Sequence, residues 1–197
     1  METKLLNGNN KEAIAEASKI LQDGGLVAFP TETVYGLGAD ALNADAAAKI
    51  YAAKGRPSDN PLIVHIADTD AVEKLADLET MNRTHPDMVK KAYMLMEAFW
   101  PGPLTIIFPK LAIVPDGTTG GLPTVAIRMP SHPIAQELIR TSGVSIAAPS
   151  ANTSGRPSPT TAQHVWEDMD GRIEMILDGG AVGIGIESTI VDMTGTI

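Results

Sequence analysis

The sequence predicts an α/β fold in which a twisted sheet of mixed parallel and antiparallel strands is flanked by helices. Helical and strand patterns alternate along the 197 residues, which is typical of strands joined by helical connections. The strand segments are almost continuously apolar, as expected of a sheet that is covered on both faces. The strands predicted at 104–108 and 124–129 have no helical pattern between them, so part of the sheet should be antiparallel.

The first elements are defined by their capping and terminating residues. A helix is predicted at 10–22, between an asparagine cap and the Gly24-Gly25 pair. A short buried strand follows at 26–29. The next helix, 44–54, begins after Asn43 and ends at a glycine.

The second half of the chain continues the alternation. Ser131 is predicted to cap a helix at 133–142, and Gly143 leads into a strand at 144–148. No repeat or linker interrupts the pattern, so a single domain over residues 1–197 is expected. The apolar patterns also predict strands at 62–66, 174–178 and 188–193 and helices at 70–77, 86–98 and 161–167.

Composition excludes several classes of protein. The chain has no cysteine, so it has neither disulfides nor thiolate-based metal sites, and a cytoplasmic location is the simplest expectation. No apolar run is long enough for a membrane span, and the N-terminus does not resemble a secretory signal. A net charge of −9 disfavours a general nucleic-acid binder, because phosphate contacts require a positive surface. Direct contact with tRNA is therefore not indicated by charge.

Some familiar motifs are absent, or are ruled out by the residues around them. Residues 36–41 match a dinucleotide-binding glycine pattern, but a polar segment separates them from the preceding strand and no helix follows directly. No Walker A sequence is present, and the four histidines do not have metal-ligand spacing. We therefore predict no metal site built from protein side chains.

The first polar segment, 30–38, follows a buried strand. Its hydroxyls, carboxylate and phenol (Thr31, Thr33, Glu32 and Tyr35) are suited to surrounding a small polar substrate. The alternative is a turn in which the threonines bond their own backbone, and the segment alone slightly favours that alternative.

The second polar segment contains Lys54 and Arg56 on either side of a glycine. Two cations close together suit a polyphosphate, which an arginine can hold through paired hydrogen bonds. Cations at the end of a helix also offset its dipole, and for either cation alone that explanation is the better one. The proline-bounded loop that follows, which includes Asn60, favours binding.

The third polar segment, 149–160, follows another buried strand, and seven of its twelve residues carry a hydroxyl, an amide or a guanidinium. A solvated surface loop is the alternative.

Two single residues add to the pattern of candidate site residues. His65 lies in an apolar strand, where a buried structural histidine is the usual explanation, and Arg128 ends a strand, where a buried charge needs an anionic partner.

Six segments occur in the order and spacing of a known family: PTETVYGLG, KGRPSDNPL with LIVHI, FWPGPLTIIF, VAIRMP, SIAAPSANTSGRPSPT and ESTIVD. Together they resemble the YrdC-like domain of the threonylcarbamoyl-AMP synthase family. The resemblance extends from about residue 10 to residue 195.

This resemblance implies that L-threonine, bicarbonate and ATP, with Mg²⁺, give L-threonylcarbamoyladenylate and pyrophosphate, for threonylcarbamoyladenosine at position 37 of certain tRNAs. A tRNA-modifying transferase would use the product. The implied catalytic residues are Lys54 and Arg56. The implied nucleotide-binding residues are Lys54, Arg56, Asn60, Ser150 and Asn152. The implied threonine- and carbamate-binding residues are Thr31, Tyr35, His65, Thr124, Arg128 and Ser188.

The end of the chain departs from the family pattern. Family domains continue into an Arg-Pro-Gly segment whose arginine helps to bind nucleotide, whereas this chain stops at Gly195-Thr196-Ile197. We therefore expect either a truncated domain or the N-terminal part of a two-domain protein, with activity that depends on the missing segment. The rival functions are a carbamoyl-phosphate-dependent adenylation domain and an RNA-binding module. Threonine-dependent binding of ATP would distinguish the synthesis of threonylcarbamoyladenylate from both rival functions.

Overall fold

In the computed structural model of the chain, which describes residues 2–194, one nine-stranded sheet has helices on both faces. The strands are β1 (Lys4–Asn7), β2 (Val27–Pro30), β3 (Tyr35–Asp40), β4 (Ile63–His65), β5 (Leu104–Pro109), β6 (Thr124–Arg128), β7 (Ile146–Ala147), β8 (Met175–Asp178) and β9 (Thr189–Asp192). The helices are α1 (Lys11–Gln22), α2 (Ala44–Lys54), α3 (Leu78–Thr84), α4 (Pro86–Phe99), α5 (Asp116–Thr119), α6 (Pro133–Ser142) and α7 (Ala162–Met169), with a 3₁₀ helix at Thr69–Lys74.

The sheet is mixed, as predicted. Its strand order is β1-β8-β2-β3-β7-β4-β6-β5-β9. Strand β8 runs parallel to both β1 and β2, and the pairs β4–β6 and β5–β9 are also parallel. The hairpin β2–β3 and the pair β5–β6 are antiparallel, which confirms the prediction for residues 104–129.

Helices cover both faces of the central strands. Side chains alternate across β2, so that Val27 and Phe29 belong to the apolar cluster formed with α1 and α6, whereas Ala28 belongs to the cluster formed with α2, α4 and α7. This two-sided burial explains why the central strand segments are apolar without interruption.

One part of the sheet face lies beyond α1 and α6. His65 of β4 is paired with Ile146 of β7 on one side and with Arg128 of β6 on the other, so the three side chains share a face. Ile146 is packed in the cluster under α1 and α6, whereas His65 and Arg128 line a cavity. The uncovered face of β4, β6, β5 and β9 therefore provides the floor of this cavity.

Local capping explains the elements that were predicted correctly. The side chains of Asn10 and Asn43 accept hydrogen bonds from the first turns of α1 and α2. The predicted cap of α6 was wrong, because His132, and not Ser131, accepts the hydrogen bond from the backbone N–H of Ile134. The segment predicted as a helix at 70–77 is the 3₁₀ helix Thr69–Lys74.

Strand β3 (Tyr35–Asp40) was missed, because its first residues were placed in the polar segment 30–38. Glycine is required there, since a Cβ atom on Gly38 would lie 2.6 Å from the Ile146 side chain and 2.8 Å from the Phe29 ring. The glycine pattern at 36–41 therefore serves strand packing against a neighbouring side chain. Strand β1 and helices α3 and α5 were also missed.

Within residues 2–194, no helix is both long enough and apolar enough to cross a membrane. The predicted truncation concerns Gly195, Thr196 and Ile197, which lie outside the described residues.

Candidate active site

The uncovered face of the sheet carries a cavity of about 380 Å³. Seven of the eleven predicted site residues line it: Thr31, Arg56, Asn60, His65, Arg128, Ser150 and Ser188. Four do not line it: Tyr35, Lys54, Thr124 and Asn152. Three polar segments that are far apart in sequence are thus brought to one place.

The turn between β2 and β3 forms one wall. The hydroxyl of Thr31 donates to the carbonyl of Val34 at 2.7 Å and lies 2.9 Å from the hydroxyl of Thr33. Both threonines line the cavity, yet their hydroxyls also hold the turn together. For the segment 30–38, the sequence left two alternatives, a turn that bonds its own backbone and a wall that faces a ligand. In the structure the segment has both features.

Arg128 ends β6 and is 4% exposed. Its Nη1 donates to the Thr33 hydroxyl at 3.0 Å, and its Nη2 donates to Glu32 Oε1 at 2.5 Å. Its Nε lies 3.4 Å from the carbonyl oxygen of Gly102. The anionic partner that a buried arginine requires is therefore Glu32.

Glu32 is held as a carboxylate. Burial by itself raises the pKa of this carboxyl, but the charge of Arg128 and hydrogen bonds from Arg128 and from the backbone N–H of Ser131 outweigh burial and lower the pKa. At neutral pH the pair is thus ionised, and Arg128 keeps its positive charge beside the cavity.

His65 lies beside Arg128 on the cavity floor and is 3% exposed. Its ring packs edge-on against Phe29 with 6.0 Å between the ring centroids, and its Nδ1 lies 3.1 Å from the carbonyl oxygen of Ile63. Burial, together with the nearby charge of Arg128, lowers the pKa of His65 to about 3. The imidazole is therefore neutral and adds no charge to the site.

The C-terminus of α2 brings Arg56 to the opposite side. Gly55 ends the helix in the left-handed conformation, with φ of 63°, which an L-residue adopts only with strain. The Arg56 guanidinium then lies over its own loop, where Nη2 donates to the carbonyl of Pro61 at 3.2 Å. Burial lowers the pKa of Arg56, but at neutral pH the side chain stays cationic.

Lys54 is turned away from the cavity and is 2% exposed. Its ammonium donates to the carbonyl of Ser150 and, at 2.6 Å, to the carbonyl of Asn152. The Oδ1 atom of Asn152 lies 3.4 Å away. Burial, followed by the charge of Arg56, lowers the pKa of Lys54 to about 8. Lys54 thus ties α2 to the loop at 150–156, which we call the serine loop.

Asn152 shapes the serine loop from within. Its Nδ2 donates to the carbonyls of Thr153 at 2.9 Å and Arg156 at 2.7 Å. Tyr35 has a comparable role elsewhere, since its hydroxyl donates to the carbonyl of Gly180 at 2.7 Å and accepts from Gly179. Burial raises the pKa of Tyr35 to about 12, so the phenol stays protonated.

Ser188 lines the cavity next to the edge strand β9, and its hydroxyl lies 2.7 Å from that of the buried Thr105. Thr124 occupies the start of β6, on the same face as Ala126 and Arg128 but beyond the cavity lining. Ser150 also lines the cavity.

Four polar contributors were not among the predicted site residues: Glu32, Thr33, Thr105 and Glu187. Glu32 and Thr33 were expected, as part of the polar segment 30–38, to help surround a small polar substrate, but neither was assigned an individual role. The signal for Glu32 was the buried charge of Arg128, which required a carboxylate, although sequence could not identify which one. Nothing in the sequence indicated a role for Thr105, because it lies in an apolar strand that is typical of a protein core.

Arg56, Arg128 and the carboxylate of Glu187 line the cavity, and the carboxylate of Glu32 lies beside it, paired with Arg128. A ligand with two anionic groups can pair with both guanidiniums. Apolar side chains of Ile63, Ile107 and Ala126 provide the rest of the floor. Among residues 2–194, no group of three or more His, Asp or Glu side chains could hold a metal ion.

A family model, Sua5/YciO/YrdC, described as "Telomere recombination", matches residues 19–197. The threonylcarbamoyl-AMP synthase of Bacillus subtilis is 58% identical over 92% of this chain and 50% of that protein. The threonylcarbamoyl-AMP synthase of Methylococcus capsulatus is 36% identical over 89% of this chain and 90% of that protein.

Among solved structures, Pyrococcus abyssi Sua5 complexed with L-threonine superposes with a TM-score of 0.88 at 52% identity. The match covers 98% of this chain and 54% of that one. The chain therefore spans about half the length of the Bacillus and Pyrococcus proteins it matches.

Proposed function

The chain belongs to the Sua5/YciO/YrdC family, and we propose that it takes part in the synthesis of L-threonylcarbamoyladenylate from L-threonine, bicarbonate and ATP, with release of pyrophosphate. The observation that carries this proposal is the pair of guanidiniums, Arg56 and Arg128, which line one cavity in a chain of net charge −9. Two cations suit this reaction, since its substrates are a carboxylate-bearing amino acid and a triphosphate.

Arg128 is the proposed partner of the threonine carboxylate. It sits on the cavity floor with Thr33 and Glu32 on one side, while the neutral His65 leaves the local charge unchanged. A carboxylate bound there would place the threonine side chain near the hydroxyl of Ser188 or the apolar floor. The Pyrococcus relative was solved with L-threonine, which supports threonine as the amino-acid substrate.

Arg56 and the serine loop are the proposed phosphate and nucleotide side of the site. Arg56 and Ser150 face the cavity directly, and Asn60 lies at its rim. Lys54 and Asn152 support the loop through the hydrogen bonds described above, so their contribution is to fix where Ser150 stands. Nucleotide binding should therefore depend on all five residues, with only some of them touching the ligand.

The chemistry requires positioning and charge neutralisation. The threonine nitrogen takes up bicarbonate with loss of water to give a carbamate. One carbamate oxygen then forms a bond to the α-phosphorus, and the bond to the pyrophosphate oxygen breaks. Two anions must approach each other for this step, and Arg56 and Arg128 lower the cost of that approach. No side-chain nucleophile is needed, which suits a chain without cysteine.

Magnesium would enter as the counter-ion of ATP. No cluster of carboxylates is present in the described part of the chain to hold it, and Mg²⁺ in nucleotide sites is commonly bound through phosphate oxygens and water with few protein ligands. The metal would supply further neutralisation of phosphate charge.

We also propose that the product passes to a tRNA-modifying transferase in the cytoplasm, because an acyl adenylate hydrolyses readily and needs a nearby acceptor. The net charge of −9 gives no support for direct binding of tRNA.

The test is pyrophosphate release from ATP, Mg²⁺ and bicarbonate with L-threonine present, absent or replaced by L-serine. We expect release that depends on threonine, and a loss of about ten- to a hundredfold in Arg56→Ala, since one charge-assisted hydrogen bond contributes about 1.5–3 kcal/mol. Arg83→Ala is the matched control, because Arg83 is exposed on α3 and its Nη2 donates to the Thr80 hydroxyl at 3.1 Å.

Two results would contradict the proposal. Release that requires carbamoyl phosphate in place of threonine and bicarbonate would favour the carbamoyl-dependent adenylation domain. No release, either from this chain or from a form extended to the length of the Bacillus relative, together with binding of RNA, would favour the RNA-binding module.

A further inference from the structure

Both carboxylate oxygens of Glu32 are engaged, each with a different segment. Oε1 accepts from Arg128 Nη2 at 2.5 Å, and Oε2 accepts from the backbone N–H of Ser131 at 3.0 Å. The Glu32 side chain is 15% exposed. A carboxylate bound through both oxygens cannot pivot, so it fixes the guanidinium it contacts.

Arg128 keeps donors for a ligand. A guanidinium has five N–H donors, and the contacts to Gly102, Thr33 and Glu32 use three of them. Five minus three leaves two N–H groups, one on each Nη, without a hydrogen-bond partner among residues 2–194. Arg128 also lines the cavity, so a carboxylate that enters the cavity can contact the guanidinium.

The turn that contains Glu32 and Thr33 also holds the segment that carries Ser188. The backbone carbonyl of Glu32 accepts from Ile184 at 3.0 Å, and that of Thr33 accepts from Gly185 at 2.9 Å. The segment that carries Ser188 is thus tied to the two residues that hold Arg128. One turn therefore fixes the positions of the Arg128 guanidinium and of the Ser188 segment relative to each other.

We propose that Glu32 is the positioning residue that orients Arg128 for the carboxylate of the amino-acid substrate; this inference rests on the proposed function. A purely structural ion pair is the competing explanation. The two explanations differ in what is lost. Positioning predicts a loss specific to the ligand carboxylate, whereas a structural tie predicts a general loss of binding and stability.

Glu32→Gln separates these effects. The amide keeps the size of the side chain, but an NH₂ group, which only donates, replaces one of the two oxygens that accept from Arg128 and Ser131, so one of these two hydrogen bonds is lost. We expect the dissociation constant for L-threonine to rise at least tenfold and that for ATP to change less than twofold, both measured by calorimetry. Glu32→Asp keeps the charge and should restore part of the threonine affinity.

L-Threoninol, which has a hydroxymethyl group in place of the carboxylate, makes the test specific. The wild-type chain should prefer threonine to threoninol, and Glu32→Gln should reduce that preference at least tenfold. Glu16→Gln is the matched control, since Glu16 forms an ion pair with Lys4 on the surface. An unchanged preference in Glu32→Gln, or an equal loss of threonine and ATP binding, would overturn the inference.

A second measurement keeps the two proposals apart. A wild-type chain that binds no threonine would refute the proposed function, and the ¹⁵N NMR signals of the Arg128 guanidinium would then decide the role of Glu32. Separate Nη signals in the wild type that merge in Glu32→Gln would support positioning. Identical spectra would refute it.

Discussion

Replacing Lys54 with methionine separates two roles for this lysine. If Lys54 holds the serine loop, the substitution should disturb the loop first and nucleotide binding as a consequence. If it contacts phosphate directly, the loop should be unaffected. Methionine has a similar length and no charge, so packing around the side chain is largely conserved.

The expected change in stability follows from two opposing contributions. Removal of the ammonium leaves the part-buried carbonyl of Ser150 and the buried carbonyl of Asn152 without this donor, which costs up to about 1–3 kcal/mol for each group. Against this, the lowering of the Lys54 pKa from 10.5 to about 8 means that the folded protein disfavours the ammonium by about 3 kcal/mol, and the substitution removes that cost. The free energy of unfolding should therefore change by no more than about 3 kcal/mol.

The local effect should be larger than the global one. Backbone amides of the serine loop, such as those of Ala151, Thr153 and Ser154, are hydrogen-bonded in the structure. We expect their hydrogen exchange to accelerate in Lys54→Met, and ATP affinity to fall at least tenfold as Ser150 loses its position. Urea unfolding gives the global value, and hydrogen exchange with calorimetry gives the local one.

Lys49→Met is the matched control. Lys49 lies on the same helix and its ammonium also donates to a backbone carbonyl, that of Gly24 at 2.6 Å, but it does not contact the serine loop. It should leave exchange in the loop and ATP affinity unchanged. Loss of ATP binding in Lys54→Met with exchange in the loop equal to that of Lys49→Met would refute the loop role and favour direct contact with phosphate.

Two further outcomes are expected. ATP affinity should fall as pH rises through about 8, because Lys54 then loses its proton, and Lys54→Met should remove this dependence in titrations from pH 6.5 to 9.5. The fold itself should not weaken through this group, since folded Lys54 releases its proton at lower pH than the unfolded chain and its contribution to stability rises between about 8 and 10.5. Gly38→Ala should lower the free energy of unfolding by about 1–3 kcal/mol in urea, because its Cβ meets Ile146 and Phe29, while Gly183→Ala, which meets nothing within 4 Å, should be close to neutral.

The sequence by itself determined the local elements and the family. Caps such as Asn10 and Asn43, terminating glycines and apolar runs act over a few residues, so the helices α1 and α2 could be placed to within a residue. The order of the polar segments identified the YrdC-like domain. It also picked seven residues that line the cavity.

The tertiary structure decided which groups face a ligand. Glu32 and Arg128 are 96 residues apart, and Lys54 reaches carbonyls 96 and 98 residues away, so no local pattern could pair them. Strand β3 was missed because its glycines weaken strand propensity, and only the close approach of Ile146 and Phe29 explains the glycine at position 38. Sequence selects residue types capable of binding, but the direction of each side chain depends on long-range contacts that form only when the sheet assembles.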